Sequence, residues 1–143
     1  MTFADPSQSP GFLLWHATLR WQRGIAVALS PLDLTHVQFV LLACTWWLNG
    51  RGEHPNQMTL AAHAGTDVKM TSQVVRSLER KGLIQREIDP RDTRAKRLRV
   101  THRGAGLAPR AIDTVEQVDK RFFAGIPDTK ALGLLERLAA AEI

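Results

Sequence analysis

Between Gly11 and Leu29 apolar residues fall on nearly every side of a helical projection, Trp15, Leu19 and Trp21 among them, and only Arg20, Gln22 and Arg23 are strongly polar. Such a segment predicts a long helix buried on more than one side. Pro31 and Asp33 break it. Thr35 followed three residues later by Gln38, ahead of Phe39, Val40, Leu41 and Leu42, is the pattern of a capping box, so a second buried helix is predicted from there to Asn49-Gly50. Beyond the polar stretch Gly50 to Pro55, Asn56 can cap a short helix through Ala64 that Gly65 closes, and Asp67 can cap another that reaches Lys81 and stops at Gly82. Two helices of this length joined by a tight glycine-containing turn have the outline of a helix-turn-helix.

After Gly82 the period changes. Leu83 to Ile88 and Arg97 to Val100 read as two short strands, and the charged stretch Asp89 to Lys96 between them reads as the tip of a hairpin wing. From Thr101, an N-cap candidate, a long helix sets Leu107, Ala111, Val115, Val118 and Phe122 on one apolar stripe. Pro127 ends it, and Asp128 is expected to cap a last helix bearing Leu132, Leu135, Leu138 and Ala139. The fold class predicted is mainly α, with a two-stranded β-wing.

Composition narrows the function. The chain has 143 residues and a net charge of +5, ordinary for one small domain. Residues 57–104 hold eleven Lys/Arg against five Asp/Glu, a net +6, while the remainder carries eight against nine, a net −1. A basic segment between slightly acidic ends suggests a polyanion-binding module, and nucleic acid is the commonest such partner. The longest nearly apolar run, Phe39 to Leu48, spans ten residues, against the roughly 18 to 20 that a membrane helix needs. The first ten residues lack a basic start followed by an apolar stretch, so they do not read as a secretory signal and a cytoplasmic location is expected. Cys44 is the only cysteine, and His16, His36, His54, His63 and His102 show no close metal-ligand spacing, so neither metal nor cofactor is expected.

Leu60-Ala61, Gly65, the run Leu78-Glu79-Arg80-Lys81-Gly82-Leu83-Ile84, the run Asp89-Pro90-Arg91-Asp92-Thr93-Arg94, then Val100-Thr101 and Gly104 occur in this order. In these residues and their spacing the chain resembles the MarR family of bacterial winged-helix regulators. The resemblance implies a flexible arm (1–10), an N-terminal dimerisation helix (11–34), a winged helix-turn-helix DNA-binding domain (35–104) and C-terminal dimerisation helices (105–143). It further implies a homodimer on a palindromic operator in double-stranded DNA, with transcription usually repressed until a small molecule or oxidation relieves it, and no enzymatic activity.

On the second helix of the motif, Thr71, Val74, Val75 and Leu78 share a core-facing side, leaving Lys69, Ser72, Gln73 and Arg76 to face away. A glutamine can pair bidentately with adenine and an arginine with guanine, which makes Gln73 and Arg76 the candidates for base readout. Gln73 stands where the family frequently has arginine, and Val68 and Met70 replace more polar residues. In the wing, Arg91, Arg94, Lys96, Arg97 and Arg99 fall within nine residues. The resemblance assigns Arg94 to the minor groove with Asp92 orienting its guanidinium. Arg91, Lys96 and Arg97 are expected at phosphates, which position without reading sequence.

Trp15, His16, Leu19, His36, Phe39, Val40 and Trp47 are concentrated on the first two long helices. Helical spacing suits a dimer core, and the resemblance implies an aromatic-lined pocket there for small aromatic or phenolic effectors. Cys44 lies among Leu41, Leu42, Ala43 and Trp46 with no basic neighbour to activate it. Three alternatives remain open at this point: a winged-helix protein-interaction module without DNA binding, a regulator sensing redox through Cys44, and a small hydrolase using Cys44.

Overall fold

Proline is best tolerated at the first position of a helix, where its missing N–H would have no partner. Pro10 occupies that position, and Ser9 before it accepts a hydrogen bond from Phe12 N–H. The computed structural model describes residues 5–143, apart from the side chain of Ala95. Residues 1–4 of the expected arm therefore lie outside the described residues. Pro6–Gln8 form a short 3-10 turn, and helix α1 follows over Pro10–Leu29. A second 3-10 turn, Ser30–Leu32, ends at Asp33 in the left-handed region (φ 55°) and turns the chain into α2, His36–Gly50. The capping box forms as expected: Thr35 Oγ1 accepts from Gln38 N–H (3.2 Å) and Gln38 Oε1 from Thr35 N–H (3.0 Å).

Helices α3, Gln57–Ala64, and α4, Val68–Arg80, follow, capped at their N-termini by Asn56 and Asp67. Strand β1, Ile84–Asp89, pairs antiparallel with β2, Asp92–Val100, in a register running from Ile84 opposite Val100 to Ile88 opposite Lys96. Beyond an irregularity, Asp89 faces Asp92. The second strand is thus longer than its apolar alternation predicts, because the Arg94 and Lys96 side chains project to solvent on both counts and give no period-2 signal. Helix α5, His102–Phe122, is capped by Thr101, whose Oγ1 accepts from Gly104 N–H. Helix α6, Asp128–Ala139, differs from expectation at its start: Pro127 holds the cap position, and Asp128 is the first helical residue, where its charge still suits the positive end of the helix.

The core gathers on α2. Leu41 and Leu42 are fully buried with Ile25 and Leu29 of α1, Leu60 of α3, Val75 and Leu78 of α4, Leu98 of β2 and Ala111 of α5. Each leucine so buried contributes about 1.5–3 kcal/mol relative to exposure. Trp21 Nε1–H donates to Asp119 Oδ1 (2.8 Å), tying α1 to α5.

One chain does not bury the outer helices by itself. Within one chain only Ile25 and Leu29 of α1 are buried and no residue of α6 is. Phe12, Leu13, Leu14, Trp15 and Leu19 on α1 and Leu132, Leu134, Leu135 and Leu138 on α6 face solvent. A chain of this size has one core, and these two faces point away from it. No single described helix is long and apolar enough to cross a membrane.

Candidate nucleic-acid interface

The turn between α3 and α4 is set by three groups. Gly65 takes φ +75°, which ends α3 in a left-handed cap. Asp67 Oδ1 accepts from Met70 N–H (2.8 Å), and buried Thr71 shares hydrogen bonds with Asp67 C=O (2.8 Å) and Thr66 Oγ1 (2.7 Å). With Thr71, Val75 and Leu78 buried, the opposite stripe of α4 is fixed: Lys69, Gln73 and Arg76 are exposed, with Ser72 half-buried at its margin. Arg80, four residues beyond Arg76, extends that stripe and is exposed too. Spacing alone could have found it. The side chains of Lys69, Gln73, Arg76 and Arg80 make no hydrogen bond or ion pair with any other described residue, so they are free to meet a ligand.

The inner side of α4 is pinned. Gln38 Nε2 donates to Ser77 Oγ (3.0 Å), and Ser77 Oγ donates to Val74 C=O (2.6 Å). Lys81 Nζ donates to Gln38 Oε1 (2.9 Å) and to Asp33 C=O, with the Asp33 carboxylate 3.6 Å away. At the far end Arg103 Nη1 donates to Lys81 C=O (3.0 Å) and Thr101 Oγ1 to Gly82 C=O (2.6 Å), which occupy carbonyls that the end of α4 leaves without helical partners.

The wing divides its cations into two kinds. At the tip Asp92 Oδ1 accepts from Arg94 N–H (3.1 Å) and lies 3.5 Å from Arg94 Nε, yet the Arg94 side chain is 93% exposed. An exposed pair of this sort contributes at most about 1 kcal/mol to stability, so the guanidinium is tethered without being neutralised in a core. Arg91 and Lys96 are exposed as well. Nearer the root, Glu87 Oε2 takes Arg97 Nε at 3.2 Å and Glu87 Oε1 lies 3.4 Å from Arg99 Nε. Burial works against the Glu87 charge, but the Gln85 hydrogen bond and the Arg99 and Arg97 guanidinium groups outweigh it, so the carboxyl lies below its usual range. Arg97 is half-buried in this arrangement, and Arg99 Nη2 also meets His54 Nε2 at 3.1 Å.

Two elements converge on the same side. Asn56, Gln57 and Met58 at the start of α3, with Arg86, Arg94 and Lys96 of the wing, line one open cleft of about 370 Å³. Arg86 also pairs with Glu79 of α4 (2.9 Å). Asn56 is legible in sequence only as a helix cap, and Gln57 and Arg86 carry no signal of their own, because their place at this cleft depends on how the hairpin folds back over α3. The face as a whole presents a helix stripe with amide and guanidinium donors, and beside it a cationic hairpin, which is chemistry suited to base edges and phosphates.

The candidate effector residues are not brought together within one chain. Trp15, His16 and Leu19 lie exposed on the first half of α1, with His16 edge-on to Phe12. His36, Phe39 and Val40 are half-buried at the start of α2. His36 meets Trp21 edge-on (5.0 Å), and burial lowers its pKa against the opposing pull of Asp119. A cleft of about 310 Å³ beside it is lined by Ser30, Asp33, Leu34, Thr35, His36 and Lys81, among others. Trp47 is at the other end of α2, stacked on His63 (5.6 Å) under Arg51. Cys44 is half-buried, and burial pushes its thiol pKa up.

Residues 34–96 match the MarR family. The HTH-type transcriptional regulator YdcH of Bacillus subtilis (strain 168) is 46% identical over 122 residues, which is 85% of this chain and 83% of that protein. CouR from Rhodococcus jostii RHA1, in a crystal structure bound to p-coumaroyl-CoA, superposes with a TM-score of 0.83 at 29% identity over 98% of both chains. A structure of the transcriptional repressor CouR bound to a 23-mer DNA duplex gives 0.82 at 26% identity, covering 97% of this chain and 96% of that one.

Proposed function

The chain belongs to the MarR family of winged-helix transcriptional regulators, DNA-binding proteins and not enzymes, and on that premise we propose that it is a homodimeric repressor that occupies a palindromic operator and leaves it when a small molecule binds. One observation carries the DNA-binding geometry: the exposed stripe Lys69, Gln73 and Arg76 of α4 stands beside a wing whose tip holds Arg94 tethered to Asp92 but open to solvent. In this reading α4 enters the major groove, where Gln73 and Arg76 read bases, and Arg94 enters the adjacent minor groove, where the potential is most negative. Arg91 and Lys96 meet phosphates. Arg97 acts there only by leaving Glu87, so its main part is to hold the hairpin.

The uncovered apolar faces of α1 and α6 support the dimer. Nine large apolar side chains in two helices far exceed the scattered singles usual on a monomer. Residues 11–34 and 105–143 would then form the dimerising helices around the DNA-binding domain 35–104. A two-fold dimer places its reading helices about 34 Å apart, one turn of duplex, which is what makes the operator palindromic.

For control, the reading is an aromatic or phenolic effector bound near the α1–α2 corner, with Trp15, His16 and Leu19 contributed across the dimer. Two observations support it: the cleft at His36 adjoins Lys81, which is bonded to Gln38 and thereby to α4, and the similar protein CouR is seen bound to p-coumaroyl-CoA. The raised pKa of half-buried Cys44 favours effector control over thiol chemistry. The test is selection of bound fragments from genomic DNA, followed by light scattering of the complex. Enrichment of an inverted repeat bound by two chains is expected. A monomer at micromolar concentration, or no enrichment over random duplex, refutes the reading.

A further inference from the structure

Strand β2 pairs with β1 along one edge and would leave a row of unpaired backbone groups along the other. At the root of the wing that second edge is not covered by a strand. Leu98 N–H donates to Pro55 C=O (2.7 Å), and the next two groups are taken by one side chain of α2: Asn49 Nδ2 donates to Leu98 C=O (3.2 Å), and Asn49 Oδ1 accepts from Val100 N–H (2.9 Å). Its carboxamide therefore does what a peptide unit of a neighbouring strand would do. The second Nδ2 proton reaches Glu53 C=O (3.0 Å), so the same group also holds the loop between α2 and α3.

We propose that Asn49 is a positioning residue for DNA binding, fixing the wing at the angle that lets Arg94 and α4 engage one duplex together. The proposal rests on the reading of Arg94 as a groove contact. Its geometry is that of a lever. Arg94 lies four residues beyond Leu98, about 13 Å at strand rise, so a tilt of about 10° at the root moves the tip by about 2 Å. That exceeds the spread of distances over which a hydrogen bond keeps its strength, roughly 2.7–3.2 Å. Beyond Leu98 the tip is held chiefly by its own hairpin pairing, and the Arg86 to Glu79 ion pair ties only β1 to α4. On the β2 side, Leu98 N–H on Pro55 C=O and Arg99 on His54 are single contacts, whereas Asn49 takes two backbone groups of the strand and holds the α2–α3 loop as well.

The test is a double-mutant cycle on the full-length protein, using a duplex selected for binding and a random duplex of equal length. Operator affinity and its salt dependence are measured for wild type, Asn49→Ala, Arg94→Ala and the double variant. Asn49→Ala is expected to weaken operator binding about tenfold and to lower the salt slope by about one unit per subunit, as though Arg94 had been removed. Arg94→Ala should then cost little more in the Asn49→Ala background. Full additivity, or wild-type affinity for Asn49→Ala, overturns the proposal. If Arg94→Ala is itself without effect in the wild type, the groove reading of the wing fails and the proposal falls with it, a result distinguishable from additivity. Should Asn49→Ala fail to fold, Asn49→Asp keeps the acceptor for Val100 N–H while losing both donors, and the same cycle applies to it.

Discussion

Two glycines of α5 that stand two residues apart should respond to alanine with opposite signs. A Cβ on Gly104 would lie 2.1 Å from Leu83 O, 3.0 Å from its carbonyl carbon and 3.3 Å from its Cα, all backbone atoms. A Cβ on Gly106 would meet nothing within 4 Å. Alanine in place of an exposed helical glycine stabilises by about 0.5–1 kcal/mol, so that is the whole expectation for Gly106→Ala. For Gly104→Ala the overlap of about 1 Å must be relieved by moving the first turn of α5 away from Leu83. That turn is joined to the end of α4 through Thr101 N–H to Leu83 C=O (3.0 Å), Thr101 Oγ1 to Gly82 C=O (2.6 Å) and Arg103 Nη1 to Lys81 C=O (3.0 Å). Loss of these three bonds at about 0.5–1.5 kcal/mol each, less the propensity gain, leaves a net destabilisation of about 0.5–4 kcal/mol. Urea unfolding at fixed protein concentration, followed by circular dichroism, measures both variants against wild type. Because the same bonds end α4, Gly104→Ala should also weaken operator binding. A Gly104→Ala protein as stable as wild type would show that the close approach of α5 to Leu83 does not constrain this position.

Gln73→Ala should cost about 1–3 kcal/mol at one base position of each half-site and relax preference there, whereas Arg94→Ala should weaken binding more uniformly and reduce the salt slope; equal losses for Gln73→Ala on operator and random duplex would show that it reads no base. Cys44→Ser should leave operator affinity unchanged with and without peroxide, and peroxide release that disappears in the variant would make the thiol the sensor. Glu87, whose pKa lies below the ordinary 4.5, contributes stability that is present above that value and is lost as pH falls through the lowered one. The stability difference between wild type and Glu87→Gln should therefore shrink as pH drops below about 4.5, and a difference independent of pH would remove the Glu87 pairing from the account.

Most of the helical frame was legible because its signals are local. The Thr35/Gln38 box, the Asn56 and Asp67 caps and the stop at Gly65 each depend on residues within four positions, and each forms as the sequence predicts. What covers α1 is not legible, for the opposite reason. An apolar helix shows that something must cover it, but not whether the cover belongs to the same chain, and here Trp15 is 61% exposed. The extent of β2 was hidden because a hairpin tip held by backbone pairing needs no apolar alternation. Asn49 was invisible too: an asparagine just before Gly50 reads as a helix stop, and only the return of β2 from 49 residues away gives its side chain a second use.

Charge density located the candidate interface but did not sort its members. Five cations between Arg91 and Arg99 look alike in sequence, yet Glu87 engages Arg97 and Arg99, while Asp92 merely tethers Arg94. The difference follows from the pleat. Register sets Glu87 opposite Arg97 and Gln85 opposite Arg99, so these four share one face of the hairpin, where the one carboxylate engages both guanidinium groups and accepts from Gln85. Past the irregularity between Ile88 and Asp89 that pairing ends, and the tip guanidinium is left with a carboxylate too exposed to compete strongly with a polyanion. A wing built this way spends its inner cations on rigidity and leaves its outer ones exposed, and under the proposed reading of Arg94 a rigid root would make the charge at the tip selective for one groove geometry rather than for any phosphate within reach.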